Sequence, residues 1–428
     1  MKPNLDRRLF LKNSLILGAV AGLPAFARAN PGGAGGKKIK VGLIGCGLRG
    51  TTAIKDFSAA CKILGAEAEI TAVGDAFASA ALKCGKPYGL AEDKCFGGVD
   101  AYRKVIDSGC EFVLDCSPPV FRAAHLEAAV DAGKHCFIEK PVAVDPVGAR
   151  KVIEVGEKAK TKGLAIVTGT QRRHMASYLS NKAMIDAGAI GEIRGGVVRW
   201  NHGRVPWTRH RLPGEQDADY MMRNWGNFTQ MSGDHIVEQH IHNLDVAVWF
   251  LGRLPVSALG FGGRARRKTG NQFDYFGIDF DFGDGVHIHS QCSQIPGTNM
   301  RFGEEFTGTE GTCLGGGKVT GKQVKIPEIK VDSQNGQIQE HVDLIRGVIK
   351  GEPLNHARRI AEVNLVAILG RISAYSGQMV RMADVMTRTE SPHYQLALSP
   401  SAGDFHTGRV VMPVEEVVPI PGSDKEGA

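Results

Sequence analysis

The chain has 428 residues, 43% hydrophobic and 23% charged, which is enough for two ordinary domains with a large buried core and too apolar for a disordered polypeptide. Its formal net charge is +7, but the first 29 positions hold five basic residues and one acidic one, so the remainder carries 47 basic against 44 acidic, a net of +3. That excess gives no case for nucleic acid or a membrane surface as a partner, and nine cysteines without CxxC or zinc-type spacing argue against a disulfide scaffold or structural zinc.

The chain opens on an address. Arg7-Arg8-Leu9-Phe10-Leu11-Lys12 is close to the twin-arginine export consensus, with Asp6 where Ser or Thr is usual. An apolar run over 14–26 and the small residues Ala27-Arg28-Ala29 complete a leader, expected to be cleaved after Ala29. The run is too short and too rich in Gly and Ala for a stable membrane anchor. The expected location is periplasmic or extracellular, with the twin-arginine machinery as a partner. Residues 30–36 are a Gly-rich linker.

Ile39, Val41, Leu43 and Ile44 then read as a buried strand that runs into Gly45-Cys46-Gly47-Leu48-Arg49-Gly50 and a helical pattern. In such a strand–turn–helix, Gly45 permits the tight turn, Gly47 lets backbone approach a pyrophosphate, and Gly50 lets helix and strand pack closely. The helix N-terminus adds free N–H groups for the phosphates. The next strand ends at Asp75, where a carboxylate holds the adenosine ribose. No arginine follows in Ala76-Phe77-Ala78, so NAD is favoured over NADP. Alternating strand and helix patterns continue through 99–168 and predict a doubly wound parallel sheet, a Rossmann fold.

Ser117-Pro118, His125, Gly133-Lys134-His135 and Glu139-Lys140-Pro141 resemble the hallmarks of the Gfo/Idh/MocA oxidoreductase family. Gly188-Ala189-Ile190-Gly191-Glu192-Ile193 and His242-Asn243-Leu244-Asp245 are similar to that family's later motifs, in the expected order. The resemblance implies an NAD-binding domain at 37–170 and an α/β domain with a large, mostly antiparallel sheet at 171–390, often a homo-oligomer contact, leaving 391–428 as an extended tail. It implies sugar or polyol chemistry with NAD(P). It also implies cofactor contacts from Ser117, Pro118, His125, Glu139 and Lys140 beside the glycine turn (Gly45, Cys46, Gly47, Leu48, Arg49, Gly50) and Asp75. Strand-like runs after residue 195, a hairpin turn at Asp284-Gly285 and two late helices, 337–350 and 358–376, fit this reading. Residues 410–419 are expected to pair along a sheet edge.

Hydride transfer needs an acid/base for the substrate hydroxyl. Over 234–251 the apolar residues recur at helical spacing, and Glu238, His242 and Asp245 share another face at i, i+4 and i+7. His242 matches the family's acid/base, Glu238 stands where an Asp is expected and would orient the imidazole, and the resemblance implies that Lys140 hydrogen-bonds the reacting hydroxyl. His235, Glu238 and His242 also permit a metal reading, set aside because no HExxH occurs. Arg172, Arg173, Trp200, Asn201, Trp207, Trp225 and Asp245 are substrate-binding candidates. Three functions compete: an exported NAD-dependent sugar or polyol oxidoreductase, an NAD-dependent glycosidase or lyase that oxidises its sugar transiently, and a non-catalytic nucleotide-binding protein. An exported enzyme is further expected to carry its NAD out with it, tightly held and regenerated in place.

Overall fold

Eleven elements alternate along the first half of the computed structural model: β1 (Lys37–Ile44), α1 (Leu48–Ile63), β2 (Ala66–Asp75), α2 (Ala78–Gly85), β3 (Cys95–Gly97), α3 (Ala101–Ile106), β4 (Phe112–Asp115), α4 (Pro119–Asp131), β5 (His135–Ile138), α5 (Pro146–Thr161) and β6 (Ile166–Thr168). The structure describes residues 36–203, 208–415, 417 and 420–422. The twin-arginine leader, all but the last residue of its linker, Trp207 and part of the 410–419 segment lie outside the described residues. The strands form a parallel sheet in the order β3-β2-β1-β4-β5-β6. Both faces are covered, and the central strands β4 and β5 are accordingly buried at every residue. Phe112 and Leu114 of β4 join Val41, Leu43, Phe57 and Phe137 on one side. Val113, between them, joins Val105, Leu126 and Val130 on the other. Strand order reverses between β1 and β4, and the crevice at their carboxyl ends is where such sheets bind ligands.

The second half runs α6 (Ala176–Asp186), β7 (Ile193–His202), α7 (Asp217–Arg223), α8 (Thr229–Ser232), α9 (His235–Glu238), α10 (Ile241–Leu251), β8 (Ser257–Gly263), β9 (Tyr275–Asp281), β10 (His287–Gln294), β11 (Arg301–Gly308), β12 (Thr312–Cys313), β13 (Val319–Thr320), α11 (Gly336–Lys350), α12 (Ala357–Ser376), β14 (Val380–Arg381), α13 (Met382–Met386) and α14 (Ala402–Thr407). Its eight-stranded sheet, β13-β12-β11-β7-β10-β9-β8-β14, is antiparallel except where β7 meets β10. Period-2 alternation is clean in β10: Ile288, Ser290, Cys292 and Gln294 are buried, while His287, His289 and Gln291 are exposed. The β9–β10 hairpin turns where expected, with positive φ at Asp284 (56°) and Gly285 (72°). Among the described residues, no helix is long and apolar enough to cross a membrane.

Three expectations are corrected. The helix over 234–251 is two helices, α9 and α10, interrupted at Gln239-His240. The described residues of 410–419 form no strand. Val410 and Met412 instead pack on a cluster of Phe121, Tyr220, Met221, Phe228 and Phe405. The tail also contains α14, started by a capping box in which Ser401 and Asp404 satisfy each other's backbone N–H groups. Strand β3 and helix α2 had no periodic signal because both are short and lie at the sheet's edge.

Candidate active site

The glycine turn is shaped by sterics that no side chain could satisfy. Gly45 has φ +88°, and a Cβ there would lie 2.6 Å from the Cys116 backbone. A Cβ on Gly50 would lie 1.8 Å from the Gly45 carbonyl oxygen, so helix and turn touch only because both residues are glycine. Gly47 is different: nothing lies within 4 Å of the position its Cβ would take. That open side faces a cavity of about 440 Å³, within the range for small-molecule and cofactor sites. Asp75 is fixed at its edge, with Oδ2 accepting from the Cys46 N–H at 2.7 Å and Oδ1 from the Phe77 N–H at 2.9 Å. Each oxygen keeps a lone pair for a ribose hydroxyl. An open glycine, a helix N-terminus and an anchored carboxylate are the parts a dinucleotide requires.

Ser117, Pro118 and His125 line the same cavity. Asp115 accepts from the Ser117 N–H at 3.0 Å and from its hydroxyl at 2.6 Å, which fixes the turn after β4. His125 stacks on Tyr102 at 4.2 Å, and its Nδ1 lies 3.1 Å from the Ser117 Oγ. Cys46 serves through its backbone, and Leu48 is 88% exposed. Arg49 departs from the expected cofactor contact. Its guanidinium is engaged by Glu139, by Asp56 at 3.0 Å and by Glu340 of α11 at 3.3 Å. Arg122, which the sequence did not flag, ties the ends of two strands together by donating to the Ser117 carbonyl at 2.8 Å and the Pro141 carbonyl at 2.7 Å.

Glu139 ends the β5 strand-turn as a buried brace. Burial opposes its charge, but Arg49, Lys140 and Arg122 outweigh it and hold the carboxyl below its ordinary range. It leaves no room beside it: a Cβ on Gly169 would meet the Glu139 carboxylate at 2.4 Å. The next residue, Lys140, reaches across to α9, where its Nζ bonds to the Glu238 carbonyl and, at 3.1 Å, to Glu238 Oε1. Glu238 is therefore turned to the lysine, and the expected Glu238–His242 pair is not formed. The break between α9 and α10 removes the i, i+4 geometry that the pair needs.

His242 sits in the first turn of α10 with its ring 5.8 Å from Trp200 and nearly parallel to it. Burial first, then the charges of Lys140 and Arg172, push its pKa well below the usual histidine value. Among the described residues its ring nitrogens make no hydrogen bond, so a neutral imidazole is left with a lone pair to offer. His235 is remote from such a role, buried edge-on against Phe276 at 5.0 Å.

The substrate candidates divide. Trp200 and Arg172 stand by His242, with the guanidinium 5.7 Å from the indole and paired to Glu304. Asn243 and Tyr178 hold the same Glu304 at 2.6 and 3.1 Å. Asp245 is not open to a ligand. It is 1% exposed and taken by Arg173 through bonds of 2.8–3.0 Å and by Arg359 at 3.4 Å, so Asp245 and Arg173 form a structural pair. Asn201, one residue past Trp200, points to the opposite face of the sheet and bonds to Gln291 at 3.2 Å. Trp225 lines the nucleotide cavity instead of the reaction end, as does Arg209, which the sequence did not flag.

Residues 39–168 match the profile described as "Oxidoreductase family, NAD-binding Rossmann fold", and 178–314 match "GFO/IDH/MocA C-terminal domain". The chain is 29% identical over 219 residues to inositol 2-dehydrogenase of Rhizobium meliloti, covering 51% of this chain and 57% of that one. It is 26% identical to scyllo-inositol 2-dehydrogenase (NAD(+)) of Bacillus subtilis, covering 58% and 66%. The match thus spans less than two thirds of these relatives. Among solved structures, levoglucosan dehydrogenase in complex with NADH and levoglucosan superposes with a TM-score of 0.63 at 16% identity, covering 81% of this chain and 100% of that one. Apo scyllo-inositol dehydrogenase from Lactobacillus casei gives 0.63 at 18%, covering 81% and 99%. At such identities the likeness is one of fold. The two profiles together span more than half of the sequence, in the order of the two halves described above, and the chain belongs to the Gfo/Idh/MocA oxidoreductase family with an NAD-binding Rossmann domain.

Proposed function

We propose that this chain is an NAD-dependent dehydrogenase that oxidises a ring hydroxyl of a sugar or cyclic polyol. The observation that carries the reading is the buried His242 imidazole, unbonded among the described residues and near enough to Lys140 to feel its charge, where the crevice opens beyond the end of β5. NAD, when bound, supplies the hydride acceptor. The His242 lone pair takes the hydroxyl proton, and the Lys140 Nζ, steered by Glu238, donates to the same oxygen as negative charge grows on it. Trp200 beside His242 offers an apolar face to a sugar ring, and Arg172 a cationic edge. The relatives that act on inositols and on levoglucosan support this substrate class.

The test is a panel of inositols, aldoses and their glycosides offered with NAD while NADH absorbance is followed, in parallel with deuterium exchange at ring carbons. Net NADH with one of these compounds supports the proposal. Exchange without net NADH moves the assignment to redox-neutral glycoside cleavage. Absence of both with every ring compound would sink it. We further infer export by the twin-arginine route from Arg7-Arg8 and the run that follows. Arg7→Lys with Arg8→Lys is expected to hold the protein in the cytoplasm, and an unchanged distribution on cell fractionation would refute it.

A further inference from the structure

One wall of the nucleotide cavity does not come from the Rossmann half. Besides Gly47 and Asp75, the lining includes Arg209, Met222, Arg223 and Trp225 from the segment around α7. The two arginines are not equivalent. Arg223 is neutralised by Glu215, with bonds of 2.5 and 2.6 Å, and donates also to the His210 carbonyl. Among the described residues Arg209 is anchored through its backbone, whose N–H donates to the buried Asn224 Oδ1 at 2.7 Å. Among the described residues its guanidinium has no carboxylate partner. The glycine turn, for its part, has no cation to spare, because Arg49 is engaged by three carboxylates. A pyrophosphate lying over Gly47 would meet the N–H groups of the turn, and of the two lining arginines Arg209 is the one without a carboxylate partner among the described residues.

This second wall is bolted down by the tail. Phe405 of α14 packs edge-on against Phe121 of α4 at 5.3 Å, and His406 lies 3.3 Å from Asp100 beside the Tyr102 ring. Phe405 shares its cluster with Tyr220 and Met221 of α7. Farther on, Glu415 accepts from the Gly270 N–H at 2.6 Å and its carbonyl accepts from Arg264. The tail therefore touches both the Rossmann helix under the cavity and the segment over it.

We propose that residues 209–225 are a second, cationic wall of the cofactor site, that Arg209 pairs with the dinucleotide pyrophosphate, and that α14 clamps this wall shut so that NAD leaves slowly. The inference rests on the NAD site and not on the substrate, so its test needs no turnover. Purified full-length protein is loaded with NADH and chased with excess NAD, and release is followed by the loss of energy transfer from tryptophan. Arg209→Ala is expected to speed release about tenfold, the scale of one charge-assisted contact, and to blunt its salt dependence. The same variant should weaken ADP-ribose and leave adenosine unchanged. Phe405→Ala, or the milder His406→Ala if the first does not fold, should speed release with Arg209 intact. Arg253→Ala, in the connection between α10 and β8 and paired to Asp284 of the β9–β10 hairpin, is the control. Wild-type release from Arg209→Ala, or an equal loss for adenosine, removes Arg209 from the phosphates. Wild-type release from folded tail variants overturns the clamp.

Discussion

The two ends of the cleft are held by different means. At the nucleotide end the decisive contacts are backbone and sterics: Gly45 against Cys116, Gly50 against Gly45, and Asp75 on the N–H of Cys46, 29 positions away. At the reaction end they are charge pairs between distant segments. Lys140 meets Glu238 across 98 positions, Arg172 meets Glu304 across 132, and Asp245 meets Arg359 across 114. A frame of glycines fails by clash, at a single point. A frame of buried charges fails when one member is removed and its partner is left unpaired in a low-dielectric interior.

The sharpest way to break this contrast is Asp245→Ala. It strands Arg173 and Arg359, both largely buried, and should lower unfolding stability by about 3–5 kcal/mol. Denaturant melts check it, and a loss below about 1 kcal/mol would place the pair among weak surface bridges. Asp245→Asn, which keeps the shape and part of the bonding, should fall between the two.

Next in size is the chemistry. His242→Ala and Lys140→Ala should each lower kcat by about a hundredfold or more, and His242→Ala should keep its NADH affinity, because His242 does not line the nucleotide cavity. Kinetics on the productive substrate, beside NADH titration, separate the two effects. Near-normal kcat in either variant would return that residue to a structural role.

How much of this was legible follows from the same contrast. The glycine turn, Asp75 and both late helices were readable because each is a local pattern: a turn, a strand end, a 3.6-residue period. His242 and Lys140 were singled out by motif resemblance together with a helical face and a strand end. Their partners were not. Glu238 was paired with the wrong neighbour because helical spacing was extended through a break at Gln239-His240 that no Gly or Pro announces. Asp245 was read as a ligand contact because nothing in 240–250 reveals an arginine at 359. Asn201 failed by one residue of strand register, and Arg209 lay in a stretch without periodicity. Long-range charge pairing leaves no local signature.

Acid should act on both halves of the molecule, through histidines that are buried neutral. Burial pulls His135 down to about 4, and burial with the charges of His235 and Arg172 pulls His240 down to about 3. His135 shows why: its Nδ1 accepts the Ala165 N–H at 3.1 Å and cannot do so once protonated. The unfolded chain takes these protons near the free value of about 6.5, the folded chain only well below it. Between those values the unfolded state binds more protons, so stability is full above pH about 6.5 and falls as pH drops toward 4. Each such histidine should contribute roughly 1 kcal/mol per pH unit in that window. Thermal melts across the range check the slope. His135→Gln should flatten it by one histidine's share, and an unchanged slope would mean that His135 is protonated in the fold.

The smallest expected effect tests the nucleotide end by itself. The Asp75 carboxylate is fixed by two backbone N–H groups, so its position does not depend on any partner in the second half. A carboxylate in that place is expected to accept from both ribose hydroxyls of NAD and to repel the extra phosphate of NADP. Asp75→Ser keeps one acceptor and removes the charge. NAD affinity should fall about tenfold, or roughly 1.4 kcal/mol, while NADP affinity rises because the repulsion is gone. Stability should barely change, since the strand continues through the backbone. Fluorescence titration with NADH and NADPH measures both affinities in one preparation. If their ratio is the same in Asp75→Ser as in the parent, the carboxylate does not touch the ribose, and the nucleotide end too would have to be read through contacts the local pattern does not contain.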